Sequence, residues 1–343
     1  MSATARTHRA MQTAEPGAAP QLVRAETREP GPAQVRIAVE ACGVCHSDAM
    51  VIGGHLPGTA FPLVTGHEIA GRIDAVGDQV PGWEVGDRVA VGWYGGSCGH
   101  CDACRTGDGV HCPEVQIPGA AYPGGFADSV VVPAVALAAV PEGLTAVEAA
   151  PLACAGITVY NGLRRSAARA GDTVAVLGLG GLGHLGVQFA RAMGFHTVAI
   201  ARGAEKAEAA REFGAHRYID STAEDVATEL TALGGAKVVL ATVTNSAAMS
   251  DAFGGLGRRG ELIVLGATPE GLDVNPLQLV NGGRSVRGHA SGIAVDTQDT
   301  LRFAARSGVR AKVEEVPLER AADALERMLS GRARFRMVLT TGN

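Results

Sequence analysis

Hydrophobic positions follow two rhythms along this chain. From about residue 30 to 150, short apolar stretches are cut by Gly, Pro and Asp: AQVRIAVEACG (33–43), EIAGRIDAVG (68–77), DRVAVGW (87–93) and FADSVVVP (126–133). Short strands at such close spacing predict a β-rich, barrel-like domain. Near residue 150 the rhythm changes. EAAPLACAGITVYNGLRR (148–165) has a helical period, and DTVAVLGLGGLGHLGVQFARAMG (172–194) reads as a buried strand, a glycine turn and a helix. HTVAIAR (196–202), the helix AEKAEAAREFGA (204–215), RYID (217–220), KVVLATV (237–243) and ELIVLG (261–266) follow. Continuous apolar strands alternating with helices describe a parallel sheet covered on both faces. After about residue 288 the texture is mixed again and ends in FRMVLT (335–340), an edge-strand pattern. The fold class is therefore α/β, a doubly wound parallel sheet beside a β-rich domain. Expected boundaries are 1–153 for the β-rich domain, 154–288 for the nucleotide-binding type of sheet, and 289–343 for a return to the first domain.

Composition narrows the function. A length of 343 residues exceeds one compact core, so two domains are expected. The net charge of −5 and the lack of any basic run argue against a nucleic-acid partner, and no apolar stretch is long enough for a membrane helix. The N-terminus MSATARTHRAMQ lacks the apolar core of a signal peptide and reads as a short mobile lead-in, with the cytoplasm as expected location.

Four of the seven cysteines lie in SCGHCDACRTGDGVHC: Cys98, Cys101, Cys104 and Cys112. Thiolates at two-residue gaps, with the fourth a short loop away, can close a tetrahedron around one zinc ion. Because all four positions are filled, this is the pattern of a structural zinc. A disulfide knot is disfavoured, since a chain of this length needs no staples and the cysteine count is odd.

Gly178, Gly180 and Gly183, with Gly181 and Leu182 also in the turn, spell G-x-G-x-x-G between a strand and a helix. In that setting the glycines admit a tight turn and let backbone approach a pyrophosphate at the positive end of the helix. Cofactor choice is made about twenty residues on, where a carboxylate would accept the ribose hydroxyls of NAD. Here Ala201 and Arg202 stand there with Lys206 a turn later, so NADP(H) is expected over NAD(H). Leu265, at the end of ELIVLG, is a further expected cofactor residue.

Cys45 in CGVCHSD, His67 in TGHE and Cys154 in PLACAG would together make the Cys₂His set of a catalytic zinc with one open position. Spacing alone does not join them. A buried cysteine is usually inert packing, as we read Cys42.

CGVCHSD, GHEIAGRI, VGDRVAVGW, the four-cysteine lobe, APLACAGITVYNGL and GLGGLGHLGVQFA occur in this order over nearly the whole chain. In this the sequence resembles the zinc-dependent medium-chain alcohol dehydrogenases, most closely the cinnamyl-alcohol-dehydrogenase branch. The resemblance implies a GroES-like catalytic domain, a Rossmann domain and a cleft between them. It implies two zinc ions per chain, the catalytic one on Cys45, His67 and Cys154, with Glu68 as an exchangeable fourth ligand. Asp48 would orient His67, and His46 and Arg336 would contact the pyrophosphate. Ser47 would take the substrate proton, while Trp93, His55 and His289 would wall the substrate pocket. The reaction implied is hydride exchange between a primary alcohol, aromatic ones included, and a nicotinamide. Where many relatives carry a proton-relay His, this chain has Met50, so the relay ends in water or in His55.

The competing readings are an NAD-linked secondary-alcohol or polyol dehydrogenase, a zinc-free quinone reductase, a zinc-ribbon nucleic-acid module, and a non-catalytic NADPH-binding structural protein. The full zinc-ligand set disfavours the reductase, the acidic charge disfavours the ribbon, and Ser47 beside the ligand set disfavours the inert protein. By the same resemblance the expected assembly is a homodimer or homotetramer built on Rossmann sheet edges. ELIVLG is the candidate for that edge, or is an ordinary edge guarded by Pro269 and Glu270.

Overall fold

The computed structural model describes residues 6–343, which form two units. The first runs to Ile157 and takes up Gly292–Arg306 and Arg310–Asn343, while the second is Thr158–Ser291 with Ser307–Val309.

Eight strands open the first unit: β1 Thr7–Thr13, β2 Gln21–Glu26, β3 Gln34–Val44, β4 Leu63–Val64, β5 Glu68–Val76, β6 Arg88–Val91, β7 Ser129–Pro133 and β8 Ala138–Ala139. β3 organises them. It is eleven residues long, and Val35, Ile37 and Val39 turn into the core at period two. Its first half pairs with β7 and its whole length with β5, in antiparallel register that sets Gly43 opposite Glu68. Phe126, Ile37, Ile69 and Ile73 are among the largest fully buried side chains of this unit. Arg36, on the opposite face of β3 from Ile37, is buried but paired with Asp74 at 2.8 Å and Glu29 at 2.7 Å.

The lead-in reading of the N-terminus is corrected by β1. Residues 1–5 lie outside the described residues, but Thr7–Thr13 pairs with β2 and β4, and Ala10, Met11 and Thr13 are buried. Six paired residues and two apolar anchors suffice to hold so short a strand.

The second unit holds β9 Thr173–Leu177, β10 His196–Ala201, β11 Arg217–Asp220, β12 Ala236–Ala241, β13 Leu256–Val264 and β14 Ser285–Gly288. Their order is β11-β10-β9-β12-β13-β14, and every pairing is parallel. This is the doubly wound order whose reversal, between β9 and β12, opens a crevice at the C-terminal strand ends. Val174–Val176, Val198–Ile200 and Val238–Ala241 are fully buried, as a sheet covered on both faces requires. ELIVLG lies in β13, which has partners on both sides and so is not the sheet edge. The edge on that side is β14, a four-residue strand with only one apolar residue, Val286, that alternation does not reveal.

The tail adds β15 Val313–Pro317 and β16 Arg336–Thr340 to the first unit, giving the sheet order β15-β16-β3-β5-β6-β8. FRMVLT is therefore not an edge strand. β16 pairs with β15 in parallel and with β3 antiparallel, which accounts for the burial of Arg336, Met337, Val338 and Leu339. Among the described residues no helix is long and apolar enough to cross a membrane.

Candidate metal centre and nucleotide crevice

The helix His46–Ile52 starts directly after β3, with Cys45 as its N-cap. Asp48, three residues on, accepts the Cys45 N–H at 2.8 Å through Oδ2, closing a capping box. Its Oδ1 lies 2.9 Å from His67 Nδ1 and 3.3 Å from Thr65 Oγ1. Asp48 and His67 are buried. Facing a carboxylate, Nδ1 carries the ring proton, which leaves the Nε2 lone pair turned toward Cys154 Sγ at 3.3 Å.

Cys154 comes from elsewhere in the chain. It sits in a π-helical turn, Leu152–Gly156, between the helices Ala146–Pro151 and Ile157–Arg164. Such a bulge re-aims one side chain inside an otherwise continuous helix and recurs at functional sites. The ligand atoms of Cys45, His67, Glu68 and Cys154 all lie within 4.8 Å of one another. A zinc tetrahedron with sulfur and nitrogen ligands has edges of roughly 3.4–3.8 Å, so this donor set fits the ion with little adjustment.

The electrostatics are those of a cluster sharing charge. Cys154 holds the Cys45 thiol well below its ordinary value by hydrogen bonding, against burial, and His67 helps. The Cys154 thiol is pushed up by the same pair and by burial. Burial would lower His67, but Asp48 outweighs it and raises the ring. Burial pushes Glu68 up to about 7 against the pull of Arg336. Glu68 is fully buried, and its Oε1 receives the guanidinium of Arg336, which also donates to Val44 O at 3.1 Å. Its Oε2 has no hydrogen-bond partner, the orphaned acceptor expected of a carboxylate beside a cation site. A Cβ on Gly43 would fall 1.9 Å from that oxygen, so only glycine leaves room for it.

The second cluster is local. Cys98, Cys101, Cys104 and Cys112 also bring their sulfurs within 4.8 Å of one another, with Cys98 Sγ 4.0 Å from Cys104 Sγ and 3.6 Å from Cys112 Sγ. Backbone N–H groups of Cys101 and Glu114 donate to Cys98 Sγ at 3.4 Å and Cys112 Sγ at 3.3 Å. The Ser97 hydroxyl is the main influence holding Cys104 down to about 7. None of the seven cysteines is in a disulfide.

In the second unit Gly178, Gly180, Gly181 and Leu182 link β9 to the ten-residue helix Gly183–Ala192. A Cβ on Gly183 would lie 1.9 Å from Gly178 O, which is why helix and strand can meet so closely there. Thr242, just past β12, donates to Leu177 O at 2.9 Å and closes the floor of the crevice. Leu265 follows β13 and donates its N–H to Ala241 O at 3.0 Å.

At the end of β10, Ala201 is buried, Arg202 exposed and Lys206 half-buried. The expectation that this turn is free of carboxylates is corrected. Glu205 folds back over Gly203, and Asp220, at the end of β11, accepts the Gly203 N–H at 2.8 Å. Asp220 stands opposite Ala201 in the strand register, a neighbour that linear spacing does not display.

The remaining expected residues fall as follows. Ser47 Oγ is 3.7 Å from Cys45 Sγ, inside the cluster's reach, and Trp93 meets His67 edge-on at 5.1 Å. His46 and Met50 are exposed on the same helix. His55 is exposed and its ring packs over Gly53, at the end of that helix away from Ser47. His289 belongs to the second unit, half-buried beside Gly162. Arg336 is buried against Glu68. Sequence reasoning missed Thr65, Tyr218 and Asp220, all of which act through hydrogen bonds to residues distant in the chain.

Residues 31–142 match the model of the alcohol dehydrogenase GroES-like domain and residues 181–306 that of the zinc-binding dehydrogenases. The chain is 45% identical over 311 residues to the alcohol dehydrogenase notN of Aspergillus sp. (strain MF297-2), covering 91% of each. It is 36% identical to a probable cinnamyl alcohol dehydrogenase of Oryza sativa subsp. japonica, over 92% of this chain and 88% of that one. Among solved structures a cinnamyl alcohol dehydrogenase of Sorghum bicolor superposes with a TM-score of 0.89 at 32% identity, over 98% of both chains. A donor set fit for zinc, a doubly wound sheet with its glycine turn, and these likenesses lead to one conclusion: the chain belongs to the zinc-binding medium-chain alcohol dehydrogenases, near their cinnamyl-alcohol-dehydrogenase-like branch.

Proposed function

We propose that this alcohol dehydrogenase is zinc-dependent and NADP(H)-linked, and interconverts primary alcohols, aromatic ones included, with their aldehydes. The convergence of Cys45, His67, Glu68 and Cys154 ligand atoms within 4.8 Å carries the reading. Cys45, His67 and Cys154 would hold the catalytic zinc, and Cys98, Cys101, Cys104 and Cys112 a second, structural one. Bound there, the ion supplies Lewis acidity toward an alcohol or carbonyl oxygen, and the nicotinamide supplies the hydride acceptor or donor.

The chain's own residues do the rest. Asp48 fixes the tautomer and direction of His67, and the π turn fixes the direction of Cys154. Glu68, restrained by Arg336, would offer the ion its unpartnered Oε2 as a further oxygen ligand. Ser47 Oγ takes the substrate's hydroxyl proton; Met50 has no group to pass it on, so the proton leaves by water. Trp93, edge-on to His67, gives the neighbourhood an aromatic wall that suits a flat substrate. Ala201 stands at the strand end where a carboxylate would read the ribose hydroxyls, and Arg202 with Lys206 supplies cations for a 2′-phosphate in a turn that also carries Glu205 and Asp220. Seven cysteines, none of them in a disulfide, suit a reducing cytoplasm.

For assembly, we take the β14 edge as the pairing surface of a homodimer. The helix Pro276–Gly282 beside β13 exposes 66% of Leu277 and 78% of Val280, and β14 itself leaves Val286 38% exposed. Apolar side chains clustered at an open sheet edge are what a second copy would cover.

Four outcomes are expected. Cys154→Ser brings benzaldehyde reduction to background while NADPH binding, read by cofactor fluorescence, stays near wild type; retained turnover would contradict the ligand assignment. Asp48→Ala lowers zinc affinity about 10–100-fold in chelator competition. The wild-type enzyme reduces benzaldehyde faster with NADPH than with NADH at equal subsaturating concentration, and Val280→Glu turns a dimer into a monomer in sedimentation velocity.

A further inference from the structure

The turn that follows β10 is gripped from the neighbouring strand. Gly203 has φ +91°, a left-handed conformation, and a Cβ there would lie 2.1 Å from Glu205 Oε2. Both of its backbone polar groups are taken by β11. Asp220 Oδ1 accepts the Gly203 N–H at 2.8 Å, and the Tyr218 hydroxyl donates to Gly203 O at 2.6 Å, with Ala201 O a second acceptor at 3.1 Å. Arg202 lies between the two gripped carbonyls.

Neither clamp residue is idle packing. Tyr218 is only 8% exposed, and burial, with Asp220, Glu205 and Glu224, pushes its phenol up to about 12, so it remains a neutral donor. Asp220 Oδ1 also accepts Thr222 Oγ1 at 2.7 Å and Thr222 N–H at 3.0 Å. That oxygen is saturated by three donors, which tie it to the turn and hold its carboxyl below the usual range, Thr222 being the main cause.

We propose that Tyr218 and Asp220 are positioning residues for cofactor selection: by fixing both polar groups of Gly203 they hold Arg202 where it discriminates at the 2′ position of the adenosine ribose. This rests on the NADP(H) reading for the direction of the preference, but the clamp itself is read from how the preference changes. An exposed arginine on a free turn loses side-chain and backbone entropy on meeting a phosphate, and a turn already fixed on both sides loses less. A cofactor without the phosphate gains little from that order.

The test is direct binding of NADPH and NADH, and of adenosine 2′,5′-bisphosphate and AMP, to the full chain by calorimetry. Tyr218→Phe removes one hydrogen bond and should weaken NADPH and the bisphosphate about fivefold, leaving NADH and AMP within about twofold. Asp220→Ala should lower the same ratio, and Asp220→Asn, which keeps an acceptor oxygen for the Gly203 N–H, should restore it to wild-type level or above. Equal weakening of phosphorylated and unphosphorylated ligands, or no change in either, overturns the clamp. A wild-type preference for NADH would overturn the NADP(H) reading instead, while a variant-dependent shift in the ratio would still support the clamp. Tyr218→Phe and Asp220→Ala remove different halves of the grip, so a folding defect in one leaves the other to decide.

Discussion

One buried carboxylate holds the candidate metal centre in shape. Asp48 has no exposed surface, and each of its oxygens is committed, one to the Cys45 N–H and the other to His67 and Thr65. It thereby joins the start of a helix to the loop before β5, and fixes both a thiol and an imidazole at once. An uncompensated buried charge costs several kcal/mol, so Asp48 is tolerable only with this full set of partners. The same requirement makes the geometry of the site a condition of folding.

A second buried pair extends the constraint across the sheet. Glu68 opens β5 and Arg336 opens β16, and β3 lies between those strands. Their ion pair therefore spans three strands, and Val44 O on β3 takes another of the guanidinium's donors. The tail of the chain thus contributes a central strand and the countercharge that holds Glu68 beside Cys45, His67 and Cys154. The remaining Glu68 oxygen has no hydrogen-bond partner, and it faces the space that Gly43 leaves.

The parts of this account that were legible in the sequence are those that chain proximity encodes. The four-cysteine lobe closes within fifteen residues, and the glycine turn needs only its flanking strand and helix, so pattern and spacing sufficed for both. Cys45, His67 and Cys154 were joined only by family resemblance, because the β3–β5 register and a π turn bring them together, and neither has a periodicity. β1 and β14 escaped notice because each is short and half polar. β16 passed for an edge strand because nothing in its own five residues shows that β15 and β3 pair with it on either side. Asp220 was missed for the same reason as His67 would have been: its partner, Gly203, is seventeen residues away, in the turn that follows the adjacent strand.

The most direct test of the central claim is zinc content per chain, measured by inductively coupled plasma mass spectrometry on the purified protein and on a Cys45→Ser/Cys154→Ser double variant. Two distinct sites predict two zinc ions in the wild type and one in the variant, the four-cysteine lobe remaining loaded. Two ions in both proteins, or one in both, would show that Cys45 and Cys154 do not hold zinc.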